Sequence, residues 1–177
     1  MSDAVAIGEI INHHAERGRM LHRSLEAIYD TLRNFLVADA DGEVLGCVAV
    51  EIAWADLAEL KSLAVAPHAT GRGVGAALVR AAIDDAHKLG VRRLFALTYV
   101  DGFFARHGFE RIDRRQLPSK VWTDCVYCPK RHACDEIAVL LDLGAGAEVP
   151  GIPLAVALPG ARITLLDAVA KKCDFMR

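Results

Sequence analysis

The stretch Leu60-Lys61-Ser62-Leu63-Ala64-Val65-Ala66-Pro67 leads through His68 and Ala69 into Thr70-Gly71-Arg72-Gly73-Val74-Gly75-Ala76. A β-forming run that ends at a proline and then meets three alternate glycines leaves little choice of local structure. It must be strand, tight loop and helix start. Glycine has no Cβ, so backbone N–H groups in such a loop can come close to a bound anion. The first helical turn adds donors without intrahelical partners and the positive end of the helix dipole. Arg72 adds a side-chain cation. The segment therefore reads as a phosphate or pyrophosphate site. The alternative is that the glycines serve turn geometry alone.

The elements around this loop set the fold class. Val5, Ile7, Ile10 and Ile11 share a helical face over 5–17, capped by Ser2 or Asp3. Leu25, Ile28, Tyr29 and Leu32 mark a second helix over 24–34. A strand over 35–38, the turn Asp41-Gly42 and a strand over 44–52 make a hairpin. A strand over 57–65 precedes the loop, and a helix over 74–89 follows it. A strand over 93–98 and a short helix over 102–107 come next. Two helices, three largely antiparallel strands, then helix, strand and helix form an α+β pattern. With 53% hydrophobic residues among 177, the chain can fill a core. A net charge of −2 argues against a general nucleic-acid binder, which needs a basic surplus. No apolar run reaches the roughly 18 residues of a membrane span. The N-terminus lacks the features of a signal peptide, so a cytoplasmic location is expected.

Ala64-Val65-Ala66-Pro67-His68 followed by Thr70-Gly71-Arg72-Gly73-Val74-Gly75 resembles the acetyl-CoA motif of the GNAT superfamily. That motif reads Gln/Arg-x-x-Gly-x-Gly/Ala after a strand ending in a V-x-P sequence, and Thr70 departs from it. Phe103-Phe104-Ala105-Arg106-His107-Gly108-Phe109 resembles the superfamily's later F-Y-x-x-x-G-F element. The resemblance implies a mixed, mostly antiparallel sheet flanked by helices. It implies that the loop from Thr70 to Ala76 holds the pyrophosphate, and that Leu63 and Val65 offer backbone groups to the pantetheine arm. Phe104 stands where a cofactor-side tyrosine is usual.

A narrower likeness is also present. Gly18-Arg19-Met20-Leu21-His22-Arg23-Ser24-Leu25-Glu26 resembles the G-x-L-x-R-S-x-E stretch of N-acetylglutamate synthases, and Leu94-Phe95-Ala96-Leu97-Thr98 resembles their L-F-x-L-T strand. The run from Leu117 to Cys125, with Cys128-Pro129-Lys130 and Cys134-Asp135-Glu136, resembles the short bacterial form of that enzyme. These matches bound a domain over 1–143, with the family's first strand expected to be missing. They imply acetyl transfer from acetyl-CoA to the α-amine of L-glutamate; the alternatives are acetylation of another small amine or amino acid, or a catalytically silent module that binds acetyl-CoA or a metal.

Such a transfer needs a base for the amine proton. Glu59 matches the family's base position; the bland alternative is a solvated edge carboxylate. A bulge near Leu63 would supply oxyanion donors. Tyr99 is the candidate proton donor to the thiolate, or solvent is. Arg23 and Lys61 are candidate cations for the acceptor's carboxylates, and Thr98 a further polar contact.

Cys125, Cys128, His132 and Cys134 have spacing that suits a zinc ion. Reduced loop thiols, or an iron–sulfur or redox site, are the alternatives. Val139-Leu140-Leu141-Asp142-Leu143-Gly144-Ala145-Gly146 reads as a strand running into a glycine turn and, with Gly151 and Asp167 further on, resembles part of the S-adenosylmethionine motif of glucose-inhibited-division-type rRNA methyltransferases. Over 144–177 only the first part of a nucleotide fold is present. This appended tail is expected to pack on the domain, to mediate self-association or to be poorly ordered, and a homodimer is the candidate assembly.

Overall fold

The computed structural model describes residues 3–118 and 133–144 of the chain. In chain order they form helix α1 (Asp3–Ala15), helix α2 (Leu25–Asp30), strands β1 (Phe35–Ala40), β2 (Glu43–Trp54) and β3 (Leu57–Val65), and helix α3 (Val74–Lys88). Strand β4 (Arg93–Thr98), helix α4 (Asp101–Ala105), and strands β5 (Glu110–Ile112) and β6 (Ile137–Asp142) follow. The strands form one sheet in the order β1-β2-β3-β4-β6-β5. Every neighbouring pair is antiparallel except β3–β4. This is the α+β architecture expected from the sequence. Among the described residues no strand precedes α1.

Local chemistry explains the elements. Asp41 and Gly42 both have positive φ, 53° and 83°, the mirror-image turn that matches the twist of a hairpin. Helix α2 is shorter than its apolar spacing suggests. The Thr31 hydroxyl donates to the Ala27 carbonyl at 2.8 Å, and a 3₁₀ turn over Leu32–Asn34 carries the chain into β1.

The sheet is covered on both faces. Leu78, Val79, Ala82 and Ala86 of α3 pack on Val48, Val50, Ala58, Leu60, Leu94 and Ala96. Ile7, Ile10 and Ile11 of α1, with Ile28 of α2, pack on Leu45, Cys47 and Ala64 of the other face. Further along that second face, Ala53, Leu57, Phe95, Leu117 and Ala138 form a separate cluster.

Strand β6 lies inside the sheet, bonded to β4 along one edge and β5 along the other. Its apolar run Val139-Leu140-Leu141 suits a strand buried on both faces.

The approach of α3 to β2 is set by Gly46. A Cβ there would stand 2.8 Å from the Ala64 carbonyl oxygen, 3.0 Å from Leu78 Cδ1 and 3.2 Å from Val74 Cγ1. Gly46→Ala is therefore expected to destabilise the fold by about 1–3 kcal/mol. Urea denaturation checks this, and an unchanged midpoint would contradict the packing described.

Candidate active site

The site is organised by an irregularity between β2 and β3. Cys47 pairs with Ala64 and Ala49 with Lys61, so β3 uses one residue more than β2 between these pairs. This is a β-bulge. Ser62 within it has a left-handed φ of 54°, uncommon for a residue with a Cβ. The Cys47 thiol donates to the Ser62 carbonyl at 3.6 Å. Burial pushes that thiol's pKa up to about 12, so the proton it donates stays in place.

On its other edge, β3 meets β4 only at Leu57↔Arg93, Ala58↔Leu94 and Glu59↔Phe95. Both strands continue, β3 to Val65 and β4 to Thr98. The parallel pair therefore splits after Glu59, and the β3 edge from Lys61 to Val65, Leu63 included, faces an opening. Backbone groups on such an edge can pair with an extended, amide-bearing ligand as a strand would. The Val65 carbonyl is itself engaged by His14 Nε2 at 2.8 Å.

The opening leads to the glycine loop. Gly71 and Gly73 have φ of 79° and 83°, and nothing stands within 4 Å of a Cβ placed on either. Gly73 is the N-cap of α3 and supplies no side-chain acceptor. The first-turn amides at Val74, Gly75 and Ala76 thus lack intrahelical partners, and Arg72 is exposed beside them. Glycines that leave room, an uncapped fifteen-residue helix and an open strand edge fit a pyrophosphate joined to an extended arm.

Two of the expected loop residues have partners within the protein. The Thr70 hydroxyl donates back to the Ala66 carbonyl at 3.4 Å, closing the 3₁₀ turn Pro67–Ala69. Phe104 is only 3% exposed and belongs to the core, with its ring edge-on to Phe103 and Phe109. Its neighbour Phe103 takes the place beside the loop, where its Cζ lies 3.6 Å from a Cβ placed on Gly75.

Glu59 sits at the last paired position before the split. It lies opposite Glu51 of β2, and Lys61 projects on the same face. Lys61 Nζ is 3.0 Å from Glu51 Oε2 and 3.7 Å from Glu59 Oε2. Glu59 and Lys61 are 16% and 14% exposed, Glu51 41%. This polar patch separates the two apolar clusters of that face. Glu51 was not singled out in the sequence; only the hairpin register reveals it.

Tyr99 is half-buried just beyond β4. Thr98 is 7% exposed, and its hydroxyl accepts from the Val100 N–H at 3.0 Å. Strand alternation from Phe95 puts Thr98 on the face opposite Glu59, so the structure does not bring it to the polar patch. The loop before α2 is pinned by Asn12, whose side chain makes two 2.9 Å bonds to the Arg23 backbone. The Arg23 guanidinium donates to Thr31 Oγ1 at 3.4 Å. Arg23 also lines a groove of about 570 Å³ with Glu9, Asn12, His13 and His22; Glu59 and Lys61 are not in its lining.

Residues 9–111 match the acetyltransferase (GNAT) family. The chain belongs to the GNAT acetyltransferase family. An uncharacterized N-acetyltransferase of Chlorobaculum tepidum is 43% identical to this acetyltransferase over 143 residues, covering 81% of this chain and 92% of that protein. The amino-acid acetyltransferase of Mycobacterium tuberculosis is 36% identical over 126 residues, covering 70% and 72%. The crystal structure of N-acetylglutamate synthase from Neisseria gonorrhoeae, complexed with coenzyme A and N-acetyl-glutamate, superposes with a TM-score of 0.73 at 31% identity. That match covers 81% of this chain and 33% of the gonococcal one. Residues 113–177 separately match the rRNA small subunit methyltransferase G family, a match that includes β6 of the acetyltransferase sheet.

Of the expected zinc ligands, Cys125, Cys128 and His132 lie outside the described residues. Cys134 is half-buried with its Sγ 3.7 Å from Glu136 Oε2. Among the described residues no group of three His, Cys, Asp or Glu is placed to hold a metal ion, and no helix is long and apolar enough to cross a membrane.

A side chain at Gly73 would strain the left-handed N-cap of α3. Gly73→Ala is expected to raise the KM for acetyl-CoA about tenfold, the equivalent of roughly 1–2 kcal/mol. Steady-state kinetics check this, and an unchanged KM would place the anion elsewhere.

Proposed function

We propose that this acetyltransferase transfers the acetyl group of acetyl-CoA to the α-amine of an amino acid, with L-glutamate as the acceptor. The observation that carries the reading is the position of Glu59, a largely buried carboxylate at the point where β3 and β4 separate. Support for the acceptor class comes from the amino-acid acetyltransferase of M. tuberculosis and from the gonococcal synthase with its bound coenzyme A and N-acetyl-glutamate.

Acetyl-CoA supplies an acyl group activated as a thioester. In the proposed reaction the open β3 edge holds the donor's arm, and the start of α3 holds its phosphates. Glu59 accepts the amine proton as the nitrogen bonds the acetyl carbon. The backbone N–H at Leu63, turned by the bulge, donates to the oxygen that becomes negative. The thiolate leaves and takes its proton from Tyr99 or solvent. Arg23 binds an acceptor carboxylate. Lys61 is already engaged by two carboxylates, so in this reading it contributes to the charge around Glu59 more than to acceptor capture.

We also assign residues 1–143 to the acetyltransferase domain and 144–177 to an appended tail. Strand β6 is bonded on both edges within the acetyltransferase sheet, and a strand so placed cannot also start a separate nucleotide-binding sheet. Calorimetry with S-adenosylmethionine is expected to show no binding, and micromolar affinity would overturn this assignment.

Thiol release from acetyl-CoA, measured with each standard amino acid, tests the function. L-Glutamate is expected to give the highest kcat/KM, and turnover with another amine alone would reject it. Glu59→Gln should lower kcat by about 10²–10⁴ while acetyl-CoA still binds. Arg23→Ala should raise the glutamate KM by roughly 10-fold to 100-fold and leave that for acetyl-CoA unchanged. Unchanged glutamate kinetics would remove Arg23 from the acceptor site.

A further inference from the structure

We infer that the last turn of α1 braces both substrate sites: Asn12 is a positioning residue for the acceptor loop and His14 one for the donor edge. The inference rests on the proposed roles of Arg23 and of the open β3 edge.

Asn12 and His14 are two residues apart, which on an α-helix turns their side chains about 200° from each other. One therefore reaches the loop before α2, and the other reaches β3. The Asn12 side chain bonds both backbone groups of Arg23. Its Nδ2 donates to the Arg23 carbonyl and its Oδ1 accepts from the Arg23 N–H, each at 2.9 Å. This copies one hydrogen-bonded rung of an antiparallel strand pair. Backbone bonds secure the loop at Arg17, Gly18 and Arg19, and again where the Ile28 N–H meets the Ser24 carbonyl. At Arg23, between these anchors, the fastening is the Asn12 amide. From that fixed backbone the half-buried Arg23 side chain reaches Thr31 and lines the groove with Glu9 and His22.

His14 acts on the donor side. The Ala66 N–H donates to the Leu45 carbonyl at 2.8 Å, and the pairing runs on through Gly46↔Val65 and Cys47↔Ala64. Backbone groups alternate sides along a strand. Those of Ala64 and Ala66 thus turn to β2, and those of Val65 turn to the opening. His14 Nε2 lies 2.8 Å from that outward carbonyl. A carbonyl only accepts, so Nε2 carries the hydrogen. The bond holds the end of β3 on the side that β4 has left. Helix α1 is seated there by Ile7, Ile10 and Ile11, in one cluster with Ala64, Ala66 and Ala69.

Loss of either bond set has a cost that falls on one ligand. Without the Asn12 amide, the backbone at Arg23 is freed, and the acceptor must order that loop when it binds. Without the His14 donor, the strand end is freed, and coenzyme A must order it instead. A helix that only supported the fold would weaken both ligands together.

The test uses the full chain and reads three quantities: the KM for L-glutamate, the affinity for coenzyme A by calorimetry, and the urea midpoint. Asn12→Ala is expected to raise the glutamate KM about tenfold, with coenzyme A affinity within about twofold. His14→Phe keeps a ring of similar size without the donor. It should weaken coenzyme A about fivefold and leave the glutamate KM within about twofold. His14→Gln, whose Nε2 can reach the same carbonyl, should recover most of that loss. In the double variant the two effects should appear side by side, each as large as alone. Wild-type values in either single variant would overturn the inference. So would a fall in the urea midpoint with both ligands weakened alike, because α1 would then be a support of the fold. A glutamine variant no better than phenylalanine would remove the His14 hydrogen bond from the account. Arg23→Ala separates this inference from the reading beneath it. If that variant raises the glutamate KM while Asn12→Ala does not, the brace fails and the acceptor site stands. If Arg23→Ala changes nothing, the acceptor reading fails and the Asn12 role falls with it.

Discussion

The parting of β3 from β4 after Glu59↔Phe95 is the constraint on which the rest of the site depends. A parallel pair kept in register to the strand ends would seal the sheet and leave no free backbone edge. The bulge at Ser62 adds a residue and extra twist to β3 at the place where the split develops. Its left-handed backbone is held by a buried thiol hydrogen bond from Cys47 and by the packing of Ala64 under α1. The irregularity is therefore built into the core and is not a loosened strand end.

Each other part of the site is placed relative to that opening. Gly46 admits α3 close to β2, which brings the uncapped helix start to the mouth of the cleft. Phe103 stands beside the same turn, while Phe104 anchors α4 in the core. Glu59, the proposed base, lies on the face shared with α1, where a polar patch separates two apolar clusters. Among the described residues, Glu59 and Lys61 bring a carboxylate and an ammonium together at the apex of the split.

Much of this was legible in the sequence, for identifiable reasons. The limits of β3 and β4 follow from β-forming runs bounded by turns, and the Asp41-Gly42 hairpin from the residues that tolerate positive φ. The loop and α3 follow from glycine spacing. What escaped depends on relations between distant residues. Pairing of Glu51 with Lys61 needs the hairpin register. The choice between Phe103 and Phe104 needs the phase of a five-residue helix, too short to show a period. The bond from the Thr70 hydroxyl to the Ala66 carbonyl depends on how the chain turns after Pro67. The apolar run of β6 marked a strand, yet nothing in that run says which sheet receives it.

The central claim is that the open β3 edge and the start of α3 together receive acetyl-CoA. Amide hydrogen exchange with and without coenzyme A tests it most directly. The account predicts slowed exchange at residues 62–66 and 72–77, with little change in β1 and β5. Coenzyme A binding that leaves both segments unprotected would contradict it.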